Sequence, residues 1–234
     1  LNRVLKTEEI DYVIASDTDS IYLNMGPLVE TVYKGREKTD ESVVRFLDKI
    51  CKMELEPFIS RSYEELAGYV NAYEQKMIMK RENIASSGIW TAKKRYILNV
   101  WDSEGVRYDE PKLKMMGIEA VKSSTPAPCR TMIKDGLKLM MNGTEEDVIK
   151  FIDDCRVKFK SLPPEDIAFP RTCSNVKKYY NYTDIYSKGT PIHARGALLF
   201  NHYIKKNKLD KKYSLIGNGE KIKFLYLKKP NIIR

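Results

Sequence analysis

The residues with the clearest potential for chemistry are Asp17 and Asp19, which lie one residue apart between two short apolar runs. The runs cover residues 12–15 and 20–24, so we expect the aspartates at the tip of a β-hairpin. Side chains two positions apart on extended backbone point to the same side. Divalent cations such as Mg²⁺ favour such rigidly held carboxylates, and substrate phosphates often complete the ligand set. The pattern therefore predicts a metal-binding hairpin.

The same pattern has other interpretations. It is also typical of an ordinary solvated turn, because Asp and Thr favour turns. A calcium-binding EF-hand loop is excluded, since it would require an oxygen ligand at Ile21, Gly at Tyr22 and a bidentate Glu at Leu28. A phosphatase of the haloacid dehalogenase type, with Asp17 as nucleophile, stays open as an alternative, although Ile21 stands where that pattern has Thr or Val.

The segments after the hairpin predict the elements that position it. Apolar residues at helical spacing from residue 43 onward predict a long amphipathic helix, which Pro57 should kink or divide. Three strand-like segments follow, with turns between them at 86–88 and 103–105. They cover residues 76–85, 92–101 and 106–116.

The pattern changes to mainly helical near residue 120. Helices are predicted over residues 127–141, from Thr144 to about residue 162, and over 192–207, before a terminal hairpin that turns at 217–219. We therefore predict an α+β protein. An antiparallel sheet with a packed helix would occupy residues 1–120, and a mainly helical domain with a small β-hairpin would occupy residues 121–234.

The distribution of charge indicates a polyanionic partner for one end of the chain. The 234 residues carry a net charge of +9. Residues 1–120 hold 18 basic and 21 acidic side chains, whereas residues 171–234 hold 15 basic and three acidic ones. The first half contains one basic run, Lys93-Lys94-Arg95.

No apolar run approaches the roughly 18 residues of a membrane span, and four scattered Cys without a CxxC pair argue against a zinc site.

Four motifs, in order, carry a family resemblance. Ser16-Asp17-Thr18-Asp19-Ser20 resembles the Gly-Asp-Thr-Asp-Ser palm motif of family B DNA polymerases, with Ser16 in place of the usual Gly. Lys93-Lys94-Arg95-Tyr96 resembles the family's primer-contact motif. Residues 112–126 are similar to the palm-to-thumb junction of the polymerases of T-even-type bacteriophages, and residues 192–196 are similar to their thumb motif at duplex DNA.

The resemblance implies nucleotidyl transfer from a dNTP to a primer 3′-hydroxyl by two metal ions, with Mg²⁺ as the expected cofactor. It implies that Asp19 is the main metal ligand of this hairpin and that Asp17 supports it. Glu82 matches the position of a further carboxylate near the metals, although a solvated glutamate at a strand end is an equal alternative. Residues 1–120 would then be the C-terminal part of the palm, and residues 121–234 the thumb, truncated at its C-terminus.

The resemblance also implies a set of contacts with primer–template duplex DNA. Among the strand residues, Lys94 and Tyr96 share one face and are the expected primer contacts, whereas a solvated strand edge is the alternative for the lysines. Thr18 is expected near the primer end. The full expected set is Thr18, Lys93, Lys94, Arg95, Tyr96, Lys112, Lys114, Lys122, Ser123, Ser124, His193, Arg195 and Gly196.

The sequence is further expected to be part of a longer protein. The other palm aspartate, the fingers and the exonuclease would precede it, and a tail that docks the sliding clamp would follow it. We expect such a protein to act in the cytoplasm of an infected bacterial host, without a membrane partner. We expect the isolated chain to bind primer–template DNA without extending it. A duplex-binding subunit of a split polymerase is the second alternative.

Overall fold

The computed structural model describes residues 1–226 and shows an α+β protein with two compact units. The first unit spans Leu1–Gly117, and the second begins at Ile118. Every strand pairing in the described residues is antiparallel. The predicted α+β class and its antiparallel sheets are therefore confirmed. Residues 227–234, which include three of the terminal basic side chains, lie outside the described part.

Most of the helices of the first unit lie between residues 26 and 69. The helices are α1 (Asn2–Leu5), α2 (Gly26–Val32), α3 (Asp40–Ile50) and α4 (Glu56–Tyr69), with a π-helical segment at Cys51–Leu55 between the last two. Thr39 and Ser42 form a reciprocal capping box that starts α3. Pro57 lies in the first turn of α4, where its missing N–H needs no acceptor. The chain stays helical from Asp40 to Tyr69, and the π-helical segment interrupts the regular α-helical pattern just before this proline.

The first unit also contains a hairpin and a three-stranded sheet. The hairpin pairs β1 (Val13–Asp17) with β2 (Ser20–Leu23). The sheet has the order β3 (Asn83–Ala92), β4 (Arg95–Ser103) and β5 (Val106–Met116), so β4 is central. Glu104 and Gly105 form the turn between β4 and β5, both with positive φ, as such two-residue turns require. This predicted turn is confirmed.

The predicted turn at residues 86–88 is wrong, because β3 runs through them. Gly88 pairs with Leu98, and a Cβ at Gly88 would lie 2.7 Å from both the Leu98 and the Trp90 side chains. The glycine therefore serves close packing within a strand, and irregular pairing near Ala85 accommodates the neighbouring serines. The turn lies instead at residues 93–94, and residues 76–82 form no strand.

The second unit is mainly helical in the residues described. Its helices are α5 (Ala127–Asn142), α6 (Glu145–Ser161), α7 (Pro164–Ile167), α8 (Val176–Tyr179) and α9 (Ile192–Lys206). Thr144 and Asp147 form the capping box of α6, and α5 ends immediately before Gly143. The three long helices predicted here are confirmed to within a residue or so at each end.

Short strands complete the second unit. They are β6 (Phe169–Thr172), β7 (Tyr180–Asn181), β8 (Ile185–Tyr186) and β9 (Lys221–Phe224). β7 and β8 form a small hairpin, whereas β9 pairs with β6, about 50 residues earlier in the chain. The terminal hairpin predicted across residues 217–219 is therefore wrong. A core of Cys173, Val176, Ala197 and Leu198 packs α8 and α9 together.

None of the helices in the described residues combines the length and the apolar character that crossing a bilayer requires.

Candidate functional site

The tip of the β1–β2 hairpin places the two aspartates in different surroundings. Asp17 ends β1 and pairs with Ser20, and Thr18 and Asp19 form the turn. Thr18 has a φ of 43°, and the amide of Asp19 donates to the carbonyl oxygen of Asp17 at 2.5 Å. Asp17 is half-buried, whereas Thr18 and Asp19 are exposed. Within residues 1–226, the Asp19 carboxylate has no hydrogen-bond or ion-pair partner, so both its oxygens are available as ligands.

A second hairpin tip lies beside Asp17. Lys93 and Lys94 form the two-residue turn between β3 and β4, and Lys94 has a φ of 60°. Its ammonium lies 3.9 Å from Oδ2 of Asp17. Because the lysines form a turn, the strand alternation used to separate their faces does not apply to them. Strand alternation starts only at Arg95.

An aromatic cluster joins the two hairpins. Tyr22 of β2 lies 5.3 Å from Trp90 and 5.2 Å from Tyr96, measured between ring centroids. Trp90 and Tyr96 face each other across β3 and β4 at 6.2 Å. Such tilted and edge-to-face contacts are the favoured aromatic geometries. The cluster therefore packs the aspartate hairpin against the end of the sheet where Lys93 and Lys94 connect β3 with β4. We call this connection the lysine turn.

Tyr96 belongs to the core of this cluster. Only 9% of its side chain is exposed, and burial, followed by its hydrogen bond with Tyr22, raises the pKa of Tyr96. The phenol therefore stays neutral over the whole physiological range. Tyr22 and Trp90 were not identified as site residues from the sequence. The feature that could have indicated them is that each is an aromatic residue close to a recognised motif, Tyr22 just after the aspartate motif and Trp90 just before the lysine run.

Glu82 and Lys114 form an ion pair of their own. Glu82 precedes β3, and its Oε1 accepts a hydrogen bond from the ammonium of Lys114 on β5. This bond is the main cause that lowers the pKa of Glu82 below its ordinary value. Within the described residues, no group of three or more His, Cys, Asp or Glu side chains is close enough to hold a metal ion. The structure therefore does not gather Glu82 with Asp17 and Asp19 into one ligand cluster.

The Glu82–Lys114 pair gives a prediction for titration. Replacing Lys114 with Met removes the ammonium but retains the length of the side chain, so we expect the pKa of Glu82 to rise toward that of an unpaired glutamate. An NMR titration of the Glu82 carboxyl carbon measures it. Lys112→Met on the same strand is the control, because Lys112 lies 4.0 Å above the Tyr108 ring. An unchanged Glu82 titration in Lys114→Met would contradict the pairing.

The junction residues precede α5 in the second unit. Lys122 donates to Glu119 at 3.0 Å, and its backbone carbonyl accepts from the amide of Thr125. Lys122 and Ser123 are exposed, and Ser124 is half-buried. The expected DNA-contact residues of this motif therefore lie on a surface turn that leads into a helix.

The start of α9 has the features of a phosphate site. The helix begins at Ile192, and the amide of Arg195 already donates to Pro191, so the free amides are those of residues 192–194. Gly196 lies beyond them within the helix. Apart from its chain neighbours and the backbone of its own helix, no heavy atom lies within 4 Å of where a Cβ at Gly196 would be, so the surface there is open.

The two charged or titratable side chains of this motif are held differently. Nε of Arg195 donates to the carbonyl oxygen of Thr190 at 2.8 Å, and its guanidinium lies 5.5 Å from the centre of the Tyr186 ring. These contacts orient an exposed guanidinium at the helix start. His193 is half-buried, with its ring 6.1 Å from that of Phe224. Arg195 is therefore the more accessible of the two.

The donor set at the aspartate hairpin fits a hard divalent cation in part. Asp17 and Asp19 supply carboxylate oxygens, which Mg²⁺ prefers, and Mg²⁺ is commonly held by one or two carboxylates together with substrate phosphates and water. Asp19 has no competing partner in the described residues, whereas Asp17 has the Lys94 ammonium 3.9 Å from its Oδ2. The hairpin could therefore contribute two carboxylates to a shared site.

Comparison with known proteins gives a consistent result. The chain matches no protein-family profile. The DNA-directed DNA polymerase of Escherichia phage RB69 is 36% identical over 239 residues, covering 99% of this chain and 26% of that protein. The DNA-directed DNA polymerase of Enterobacteria phage T4 is 33% identical over 217 residues, covering 87% of this chain and 24% of that protein. The chain spans about a quarter of the length of these curated relatives.

Proposed function

Because this chain is homologous over nearly its whole length to a segment of the DNA-directed DNA polymerases of T-even-type phages, we propose that it serves in template-directed DNA synthesis. In this proposal the unit Leu1–Gly117 is the C-terminal part of a polymerase palm, and the unit from Ile118 onward is a thumb. The homology confirms the resemblance recognised from the motifs. The division of labour within the chain is our proposal.

The observation that supports this role best is the meeting of the two hairpin tips. The carboxylate of Asp17 and the ammonium of Lys94 lie 3.9 Å apart, although 77 positions separate the two residues in the chain. Metal-binding carboxylates and a DNA-binding cation would be expected as neighbours where a primer end meets the reacting phosphates. An ordinary solvated turn would not require a lysine-rich second turn beside it.

The proposed chemistry assigns a role to each residue of these tips. Two divalent cations such as Mg²⁺ would supply activation of the primer 3′-hydroxyl and neutralise charge on the dNTP phosphates. Asp19 would hold a cation through its exposed carboxylate, and Asp17 would support it. Thr18, in the turn between them, would lie near the primer end. Lys94, together with Lys93 and Arg95, would bind the primer strand.

In the second unit, the start of α9 would bind duplex phosphates. The amides of residues 192–194 and the guanidinium of Arg195 are donors of the kind that bind phosphate. Lys205 and Lys206 in the last turn of the same helix add positive charge. Contacts of this kind position DNA without reading its sequence, as a replicative enzyme requires. Each unit would add further contacts of its own, Lys112 and Lys114 in the first and Lys122, Ser123 and Ser124 in the second.

The proposal extends to partners outside this chain. The fingers, a further palm aspartate and an exonuclease would come from the rest of the polymerase, so we expect the isolated chain to bind primer–template DNA without extending it. Contact with a sliding clamp would require a tail outside this chain. The place of action would be the cytoplasm of an infected bacterium.

The phosphatase alternative gains no support, since β1 lies in an antiparallel hairpin and the relatives are polymerases.

A substitution at Lys94 tests the DNA interface directly. Lys94→Ala removes one cation from the lysine turn, so we expect the purified chain to bind primer–template DNA severalfold more weakly. We also expect the slope of log affinity against log salt concentration to fall in magnitude by about one. Fluorescence anisotropy with a labelled duplex measures both quantities. Lys49→Ala, which removes an exposed lysine of α3, is the control, and an equal loss in both variants would contradict the assignment.

A further inference from the structure

Gly117 lies against the lysine turn more closely than any side chain would permit. It follows β5 directly and has a φ of 67°. A Cβ at this position would lie 2.3 Å from the carbonyl oxygen of Lys94 and 3.0 Å from Cγ of Arg95. A separation of 2.3 Å from a backbone oxygen is well inside van der Waals contact, so the backbone of the turn would have to move.

This requirement differs from that of other glycines in the same unit. Gly35, with a φ of 72°, and Gly105, with a φ of 91°, also adopt the left-handed conformation that favours glycine. Apart from the adjacent residues in the chain, neither has a heavy atom within 4 Å of where a Cβ would be. At Gly35 and Gly105 the conformation alone favours glycine, whereas at Gly117 the contact with Lys94 requires it as well.

The turn that Gly117 contacts determines where the Lys94 ammonium can reach. Lys94 itself has a positive φ, and 67% of its side chain is exposed, so few side-chain contacts hold it. Its backbone is fixed by the β3–β4 pairing on one side and by Gly117 on the other. From this position the ammonium lies 3.9 Å from Asp17.

We propose that Gly117 is a positioning residue for Lys94. Because Gly117 has no side chain, the Lys94 carbonyl can pack directly against it, and this contact determines the position of the lysine turn. The position of the turn in turn determines how close the Lys94 ammonium lies to Asp17 and to the primer strand. The part of this proposal that concerns the primer strand rests on the proposed function. Gly117 would contact neither substrate nor metal and would affect binding only by positioning the lysine turn.

The test is a double-mutant cycle on the 234-residue chain with a fluorescent primer–template duplex. We expect Gly117→Ala to weaken binding severalfold and to lower the magnitude of the salt slope by about one, as Lys94→Ala does. In the Lys94→Ala background, Gly117→Ala should have little further effect on either quantity. Gly35→Ala introduces the same backbone strain without the contact, so its affinity and salt slope should equal those of the wild type.

The outcomes separate this inference from the proposed function. If Lys94→Ala leaves the affinity and salt slope unchanged, the proposed role of the lysine turn in DNA binding fails. If Lys94→Ala weakens binding and Gly117→Ala does not, or if the two losses add, the positioning role of Gly117 is overturned. Circular dichroism of each variant establishes that it is folded at the temperature of the titration.

Hydrogen exchange on the wild-type chain tests the same inference if Gly117→Ala does not fold. Binding of duplex DNA at Lys94 should slow amide exchange at Gly117 and its neighbours Met116 and Ile118, because the turn packs on Gly117. The Lys94→Ala chain, saturated with the same duplex, should lack this protection. Equal protection in both chains, or none in the wild type, would overturn the proposal.

Discussion

Replacing Asp19 with Ala is expected to abolish primer extension by a polymerase that contains this chain, while primer–template binding stays largely intact. The Asp19 carboxylate is exposed and has no partner in the described residues, so its loss removes no contact that stabilises the fold. A metal ligand contributes several kcal/mol to stabilising the transition state, which corresponds to a rate loss of at least about 10³-fold. Duplex binding would depend instead on the lysine turn and on the second unit.

A chimera provides the assay for this prediction. The chain would replace the matching segment of the phage RB69 polymerase, to which it is 36% identical, and extension and binding would be measured side by side. Asp109→Ala is the matched control, since Asp109 is an exposed aspartate of β5. Asp19→Asn, which keeps the shape and removes the charge, should be as inactive as Asp19→Ala. If Asp19→Ala weakens binding as severely as it weakens extension, the division of roles between metal and DNA contacts is wrong.

The largest expected loss of stability follows from Arg81→Ala. Arg81 lies between α3 and the sheet, where its guanidinium donates to Asp48 at 2.5 Å and to Asp102. Only 8% of the Arg81 side chain and 1% of the Asp102 side chain are exposed. Removal of Arg81 leaves the Asp102 carboxylate buried, with Arg107 at 3.6 Å and the Gly105 amide as its remaining partners. Breaking a buried pair in this way costs about 3–5 kcal/mol of the free energy of unfolding.

Urea unfolding followed by tryptophan fluorescence measures this loss. Trp90 and Trp101, the two tryptophans of the chain, both lie in the first unit, so the signal reports that unit. Arg45→Ala is the control, because Arg45 pairs with Glu41 on the exposed surface of α3 and should cost less than about 0.5 kcal/mol. A similar small loss in both variants would show that the buried network does not hold the helix to the sheet.

The acid dependence of the same network has a defined sign. Hydrogen bonding to Lys52 is the largest cause that lowers the pKa of Asp48, and Arg81 adds to it. A carboxyl group whose pKa is lowered in the folded state stabilises the fold above its unfolded pKa of about 3.9. That contribution is lost as the pH falls through the lowered folded-state value. The Asp48 contribution is therefore complete at neutral pH, where the unfolding measurements are made.

The elements that the sequence predicted correctly are those determined by local signals. The capping box of Thr144 and Asp147 marks the start of α6, and Gly143 marks the end of α5. Each of these signals involves residues no more than one helical turn apart in the sequence. The Glu104-Gly105 turn likewise depends on the conformational freedom of two adjacent residues. Ordered motifs, rather than periodicity, led to the polymerase resemblance, which the relatives confirm.

The elements that the sequence did not predict depend on distant partners. Ser86 and Gly88 have the composition of a turn, but Gly88 is there because Leu98 and Trp90 pack over it. The strand β9 pairs with β6 rather than with a neighbouring segment, and no local pattern specifies that register. Loop-forming residues indicate where a turn can form, but tertiary packing decides where it does.

The candidate site shows the same distinction. Asp17, Asp19 and the lysine run were recognised from short motifs, whereas the contact between Asp17 and Lys94 could be found only in three dimensions. Glu82 matched a motif position, yet its carboxylate pairs with Lys114 instead of joining the aspartates. The distribution of charge agrees with this site, since the 15 basic and three acidic side chains of residues 171–234 give a larger net positive charge than that of the whole chain, +9.

If this chain binds duplex DNA through its cationic residues, a salt titration of the purified wild-type chain should reveal it. The affinity for a labelled primer–template duplex would be measured from about 50 to 200 mM salt. We expect the affinity to fall steeply with salt, so that log affinity plotted against log salt concentration has a slope of several units in magnitude. Absence of binding at low salt, or an affinity that does not change across this range, would contradict this expectation.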